Sequence, residues 1–448
     1  MKKLIILLVV PFLALTSCDI LETEPQTSLD ASVALTDGNS ARSIMQGAYS
    51  RMQVGSYYGV EYVLNIDLAA DNATFQGFFD SQLEIDQRTT PYTNLWIGNA
   101  WVNIYRVVNI SNLLINGIPD IDDELFSPAA RNRLLGEAHA VRALAYFDLL
   151  RVYGYHFDMS SPHGLPILTD IIPDNDFRQI PDLPRSTVQA TYQLILDDLD
   201  IAVDNLSGFN DRGRMNFWAA LALRARVNLY AKNYGPAFND ANRVIEDGPF
   251  ELVEDLADLY NTLETTTESI FEVEFNDQDQ SGFNTFTVRR DEYNVDPSLP
   301  ASFEADDARA AFIGTLRSRV RTFKYLDGDN SNNAKVLRLA EMYLIRSEAA
   351  VFRDDDPNAG SADLNVIRDR AGLGPVGVFL TTDAYVDALL YERRAELNYE
   401  GHRFFDLVRH DRINSVLGMD NFRKAFPIPR NELLVSEELR QNPSYATP

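Results

Sequence analysis

The chain has one cysteine in 448 residues, Cys18. That rules out an intrachain disulfide, a Cys-x-x-Cys redox pair and a cysteine-built zinc site. Histidine is nearly as scarce: the five, at positions 139, 156, 163, 402 and 410, show neither HxxH nor HExxH spacing, so no metal or other cofactor is expected. There is no GxSxG elbow, no P-loop and no GxGxxG following a strand. Basic residues are in deficit, 40 Lys and Arg against 66 Asp and Glu, for a formal net charge of -26. Phosphate recognition needs clustered cations, so this balance argues against a nucleic-acid partner. Beyond residue 15 no apolar stretch approaches the eighteen or so residues that a spanning helix needs. No Pro/Ser linker or charge block divides the chain, and 45% hydrophobic content is globular.

What is present begins at the amino terminus. Lys2 and Lys3 precede an apolar run from Leu4 to Leu15, and small residues Thr16 and Ser17 lead to Cys18. This is the layout of a secretory signal peptide over residues 1–17. Leu15-Thr16-Ser17-Cys18 resembles the bacterial lipobox, which makes Cys18 the expected site of lipid attachment. Acyl chains contribute about 0.8 kcal/mol per buried methylene, so several of them hold a protein on a membrane without spanning it. Residues 18–38, polar and rich in Thr and Asp, read as a tether.

From residue 39 onward the chain reads as one mostly α domain, a tetratricopeptide-like helical-repeat scaffold with long loops and a few short strands. Helical periodicity is expected over 40–52, 99–116, 131–154 and 186–206. "ALRARVNLYAKNYGPAFNDANRVIED" reads as helix, turn, helix with small residues at the crossing, and 336–352 with 359–372 suggests a second such pair. Units of this kind bury their apolar faces only by stacking. "SIFEVEF" alternates like a strand, and so does "GFNTFTVRRDEYNV". A short helix is expected around 430–435.

"YERRAELNYEGHRFFDLVRH", 391–410, carries charges three and four residues apart, with both helix faces occupied. Two readings follow: a buried ion-pair network that fixes helix register, or catalytic carboxylates. Acids paired to arginines are poor general acids, which favours structure. The stretch also resembles the C-terminal hallmark of the SusD/RagB family at Glu392, Arg393, Glu396, Glu400, Gly401, Arg403, Asp406, Leu407 and Arg409. The ending "QNPSY" resembles that family's usual close, with Ser444 where glycine is common. The resemblance implies an outer-membrane lipoprotein of Bacteroidota at the cell surface that binds oligosaccharides, or in some members peptides. It further implies the role of lid on a TonB-dependent, SusC-like transporter, and no enzymatic activity. Asp19, Glu22 and Glu24 resemble the acidic export signal of such lipoproteins; an ordinary acidic linker is the alternative.

A neutral sugar presents hydroxyls and flat C–H faces, so it calls for aromatic platforms beside Asn, Asp or Arg. Two loop-rich segments, about 54–96 and 250–330, have that mixture. The candidates are Tyr57, Tyr58, Asp71, Asn72, Phe75, Phe78, Phe79 and Trp96 in the first, and Phe283, Arg289 and Tyr293 in the second, where Phe286 and Arg290 also fall. Each ring is open to two readings, platform or core; Tyr57, Tyr58, Phe78, Phe79 and Trp96 are the preferred platforms. Trp101 and Trp218 lie within helical patterns and are assigned to packing. Arg289 and Arg290, adjacent, hint at an anionic sugar or a peptide carboxylate, but neighbours on an extended segment point opposite ways, so at most one should serve. The acidity of the chain favours a neutral glycan over a peptide. A secreted glycosidase is the alternative from another class, because 66 acids make some carboxylate pair inevitable.

Overall fold

The computed structural model describes residues 35–171, 182–261 and 265–448. The expected signal peptide, Cys18 and nearly all of the tether lie outside the described residues. The first helix, Gly38–Met52, starts two residues earlier than its periodicity suggests. Asp37 caps it by accepting from the Asn39 and Ser40 N–H groups at 2.9 and 2.7 Å.

The scaffold is a run of helices, each packed on the next in chain order: Leu95–Gly117, Pro128–Tyr153, Val188–Asn205, Phe217–Tyr230, Tyr234–Asp247, Leu339–Asp354, Ser361–Arg370 and Thr382–Leu397. This is the expected helical-repeat arrangement. Alanine makes it possible. Ala138, Ala140, Ala143 and Ala145 all have no exposed surface, so the Pro128–Tyr153 helix receives neighbours on several sides. Val188–Asn205 is capped by Thr187, whose hydroxyl accepts from the Ala190 N–H at 3.0 Å, one residue beyond the Ser186 that the sequence suggested.

The long excursion between Asp247 and Leu339 holds most of the strand. Ser269–Val273 is fully buried and pairs antiparallel with Ala334–Arg338. The second pairing joins Ala73–Phe75 to Tyr293–Val295, with Ala73 opposite Val295 and Phe75 opposite Tyr293. The third is the hairpin of Ile313–Leu316 and Arg319–Thr322. Two expectations fail here. The segment 54–96 is no continuous loop: it contains helices Glu61–Ala69 and Asp80–Asp86. Every residue from Tyr62 to Ala69 is buried, and a helix buried all round has no amphipathic period to detect. "GFNTFTVRRDEYNV" is not one strand either: Thr285–Arg289 is a π-helical turn, and only Tyr293–Val295 is extended.

The 391–410 hallmark is two helices, Thr382–Leu397 and Arg403–Arg409, joined by a tight turn. Gly401 has φ +78°, the left-handed region that glycine adopts without strain. In that turn the N–H groups of Tyr399 and Gly401 both donate to Asp67, at 3.0 and 2.8 Å. The charges form the buried network rather than a solvated face. Arg338 bonds Glu268 at 2.7 Å, Glu396 at 2.6 Å and Glu400 at 2.7 Å. Lys324 reaches Glu400 at 2.9 Å, and Arg309 and Arg368 both hold Glu392, at 2.9 and 2.6 Å. Burial opposes ionisation of Glu400, but Arg338 and Lys324 outweigh it and hold the carboxyl at about 2. Asp406 bonds both Arg393, at 2.8 Å, and Arg409, at 3.0 Å. Arg403 does not pair with Glu400, as its spacing suggests; it reaches Asp71 at 2.8 Å. Ser444 has φ +69°, which is why glycine suits that position.

Candidate functional site

The two ring-rich segments meet. Besides the strand pairing, the Gln76 N–H donates to the Glu292 carbonyl at 2.7 Å, the Asp296 N–H to the Asn72 carbonyl at 2.9 Å, and the Gly282 N–H to the Gly59 carbonyl at 2.8 Å. The surface they share differs from the one the sequence suggested, because most of the candidate rings are core.

Tyr57 and Tyr58 donate their hydroxyls to Asp148 at 2.6 and 2.8 Å, and Tyr62 joins them at 2.9 Å. Arg151 completes the cluster through Asp148 and lies over the Phe147 and Phe405 rings. This buried clamp ties the 57–62 turn to the Pro128–Tyr153 helix. A tyrosine whose hydroxyl has a buried acceptor packs as well as phenylalanine, and no local pattern reveals an acceptor about ninety residues away. Trp96 is 1% exposed, edge-on to Phe426, with its indole N–H on the Ser56 carbonyl at 3.3 Å. Phe75 packs on Tyr293, and Phe283 stacks on Tyr325 at 4.3 Å between centroids; all are buried. Asn72 bonds Asp67 and accepts from Arg394 at 3.0 Å. Asp71 is taken up by Arg403; burial opposes its ionisation, but Arg403 and Arg394 hold the carboxyl below its usual value. Tyr57, Tyr58, Asn72, Phe75, Trp96, Phe283 and Tyr293 therefore offer no face to a ligand, and Asp71 is committed to the scaffold. Trp101 is core as expected, against Tyr105 and Tyr153.

What stays exposed is a compact group. Phe78 and Phe79 are 77% and 37% exposed, with ring centroids 4.8 Å apart and planes 31° from each other. They stand where the chain leaves the 73–75 strand to enter the Asp80–Asp86 helix. Gly77 permits the turn: a Cβ there would lie 2.4 Å from the Phe75 ring. From the second segment the π-helical turn brings Arg290, whose guanidinium carbon sits 5.0 Å from the Phe79 centroid and 5.1 Å from that of Phe286. Glu292 holds it, accepting from Nε and Nη2 at 3.0 and 2.6 Å. Arg289 is also exposed and bonds the Gly328 carbonyl. The expectation that the two arginines point opposite ways rested on an extended backbone; a helical turn leaves both at the surface. Arg290 and Phe286 are thus the more telling pair, and their spacing of four on a helical turn is the sequence signal for it.

Glu61 stands in the first turn of its helix, with Gln82 of the Asp80–Asp86 helix donating to it at 3.2 Å. Burial raises its carboxyl to about 7. The folded form therefore favours the protonated acid, and the associated stability is full below about pH 4.5 and lost as pH rises through 7. Glu61→Gln keeps an acceptor for Gln82 without the charge. Urea unfolding should show the variant equal to wild type near pH 4.5 and more stable by about 1–3 kcal/mol at pH 8. Equal stability at both pH values would remove Glu61 from this account.

Concavity alone does not mark the site. A cleft of about 790 Å³ is lined by Leu256, Ala308, Phe312, Phe323 and Arg370, and a groove of about 530 Å³ by Trp101, Tyr105, Leu168, Glu432 and Val435. Neither contains Phe78, Phe79 or Arg290. Among the described residues no helix is long and apolar enough to cross a membrane, and no three His, Cys, Asp or Glu side chains are placed to share a metal ion.

The fold is a stacked-helix scaffold, and its candidate ligand surface is the exposed aromatic and arginine group where the two ring-rich segments meet. Residues 304–426 match the model of the SusD family, and residues 20–229 that of a family described as starch-binding, associating with the outer membrane. SusD-like protein P38 of Formosa agariphila is 25% identical over 96% of both chains. A SusD superfamily protein of Bacteroides thetaiotaomicron superposes with a TM-score of 0.80 at 24% identity, covering 91% of this chain and all of that one. A laminarin-binding SusD-like protein gives 0.78 at 22% identity, over 92% of this chain and all of that one. The chain belongs to the SusD/RagB family.

Proposed function

We propose that this protein is a cell-surface lipoprotein, anchored to the outer membrane through Cys18, that captures oligosaccharides and delivers them to a TonB-dependent, SusC-like transporter for which it acts as lid. The observation that carries the binding role is the exposed Phe78–Phe79 pair beside the ring-flanked Arg290. Solvent-facing rings of this kind are costly on a soluble surface and match the C–H faces of a pyranose, while a guanidinium edge serves the hydroxyls. The family description, starch-binding and associated with the outer membrane, supports the same reading, and so does the lipobox-like start. The hallmark carboxylates Glu392, Glu396 and Glu400 are each engaged by buried cations. They are unsuited to act as general acids, and the reading is of a binder without hydrolytic activity.

The test is calorimetry of the soluble chain, residues 19–448, against neutral glycans, anionic glycans and peptides. Saturable binding of a neutral oligosaccharide with no new reducing ends is expected. Binding only to peptides would move the function to oligopeptide capture, and cleavage would make the protein a glycosidase.

A further inference from the structure

Arg290 is an exposed cation beside the ring pair, 5.0 Å from the Phe79 centroid, and at first sight it invites an anionic ligand. Its surroundings argue otherwise. Nε and Nη2 both donate to one oxygen of Glu292, at 3.0 and 2.6 Å. The arginine side chain is 37% exposed and the glutamate 6%, so the carboxylate lies under the guanidinium and away from solvent. The second carboxylate oxygen of Glu292 is buried with no protein partner among the described residues. A fully paired surface ion pair would need both oxygens; here one charge is placed under Arg290 and nowhere else. Glu292 is fixed by its backbone, its N–H donating to the Phe286 carbonyl at 2.9 Å and its carbonyl accepting from Gln76. The carboxylate is therefore held at one place between the two loop segments. Phe79 and Phe286 flank the guanidinium, which limits its swing. Nη1 makes no hydrogen bond to the protein among the described residues, so one donor edge remains for a ligand.

We infer that Glu292 is a specificity-determining residue: by cancelling the charge of Arg290 while fixing its orientation, it turns the guanidinium into a neutral hydroxyl donor and selects uncharged oligosaccharides over uronate or sulfated ones. This rests on the glycan-binding reading above. The physical argument is that discrimination between ligands is a difference of two affinities, and an attractive cation would stabilise an acidic sugar far more than a hydroxyl. A compensated guanidinium removes that bias and keeps its planar donor geometry. The net acidity of the chain works in the same direction at longer range.

The experiment compares wild type with Glu292→Gln against length-matched neutral and uronate oligosaccharides. Glutamine preserves the shape and the backbone bonds, and leaves Arg290 as a free cation. Wild type should prefer the neutral series. The variant should gain about tenfold in affinity for the uronates, a gain that shrinks in high salt, and lose severalfold for the neutral sugars as Arg290 is released. An unchanged preference in the variant, or a wild type that prefers uronates, overturns the inference while leaving glycan capture intact. A wild type that binds no glycan of either kind defeats the glycan-binding reading itself, and this inference with it. If Glu292→Gln does not fold, the double variant Arg290→Met with Glu292→Met gives the same decision, because it removes the cation and the carboxylate together and leaves the net charge of the pair unchanged. It should weaken neutral and uronate binding by the same factor; a larger loss for uronates shows that the charge of Arg290 was never cancelled.

Discussion

Arg338→Ala is expected to abolish accumulation of folded protein. Arg338 lies at the end of the Ala334–Arg338 strand, 2% exposed, and its guanidinium is shared among Glu268, Glu396 and Glu400. Truncation leaves three buried carboxylates to two remaining close cations, Lys324 on Glu400 and Arg370 on both Glu268 and Glu396, so one negative charge in the interior is uncompensated. Breaking one buried pair costs about 3–5 kcal/mol, and a domain's whole stability is about 5–15 kcal/mol. The cost is one of stranded charge rather than of lost attraction. It follows that a variant in which Arg338→Met is combined with Glu396→Gln should recover part of the loss, because one negative charge leaves with the arginine while Glu400 keeps Lys324 and Glu268 keeps Arg370. Soluble yield and the thermal midpoint by circular dichroism decide this. The pH dependence has a definite sign. Glu400 is depressed to about 2, so the stability it contributes to wild type is present above about pH 4.5 and lost as pH falls toward 2. The gap between wild type and Arg338→Ala should therefore be widest at neutral pH and narrow in acid. A folded Arg338→Ala with a near-native melting point would mean that the network is not what fixes the 382–409 region.

The same network shows what a sequence can reveal about this fold. The repeat scaffold was legible because its helices are long, and alanine at positions such as 138, 140 and 143 announces close approach on several sides. The hallmark between Glu392 and Arg409 was legible as a pattern, and its burial followed from having apolar residues on both faces. Its partners were not: Glu400 pairs with Arg338 and Lys324, 62 and 76 residues distant, and Arg403 with Asp71, 332 residues distant. Charge spacing along a helix indicates neighbours on that helix only. The candidate binding surface was half legible. Composition located both loop segments, and the structure joins them through the 73–75 and 293–295 strands. Composition could not separate Tyr57 and Tyr58 from Phe78 and Phe79, because burial of a tyrosine depends on an acceptor, here Asp148, supplied by a distant helix. Nor could it foresee the π-helical turn that exposes Arg289 and Arg290 together.

Replacing both Phe78 and Phe79 by alanine should remove nearly all glycan binding and leave stability almost untouched. The two halves of this expectation come from the same observation. Phe78 is 77% exposed and Phe79 37%, so neither contributes much to the core, and exposed substitutions usually change stability by about 0.5 kcal/mol or less. Each ring stacked on a sugar face is worth about 1–2 kcal/mol, which for the pair amounts to a loss of about thirtyfold to a thousandfold in affinity. The single variants should differ. Phe78→Ala removes the more exposed ring alone. Phe79→Ala also removes one of the two rings that flank Arg290, so it should cost more binding for less exposed area. The rings of Tyr57, Tyr58 and Trp96 give the contrast: Trp96→Ala opens a buried site against Phe426 and should lower the melting temperature sharply. Calorimetry and thermal melts on the same four proteins separate the two effects. If the double variant binds its glycan as wild type does, the ligand is held elsewhere, and the groove of Trp101, Tyr105 and Glu432 becomes the surface to mutate next.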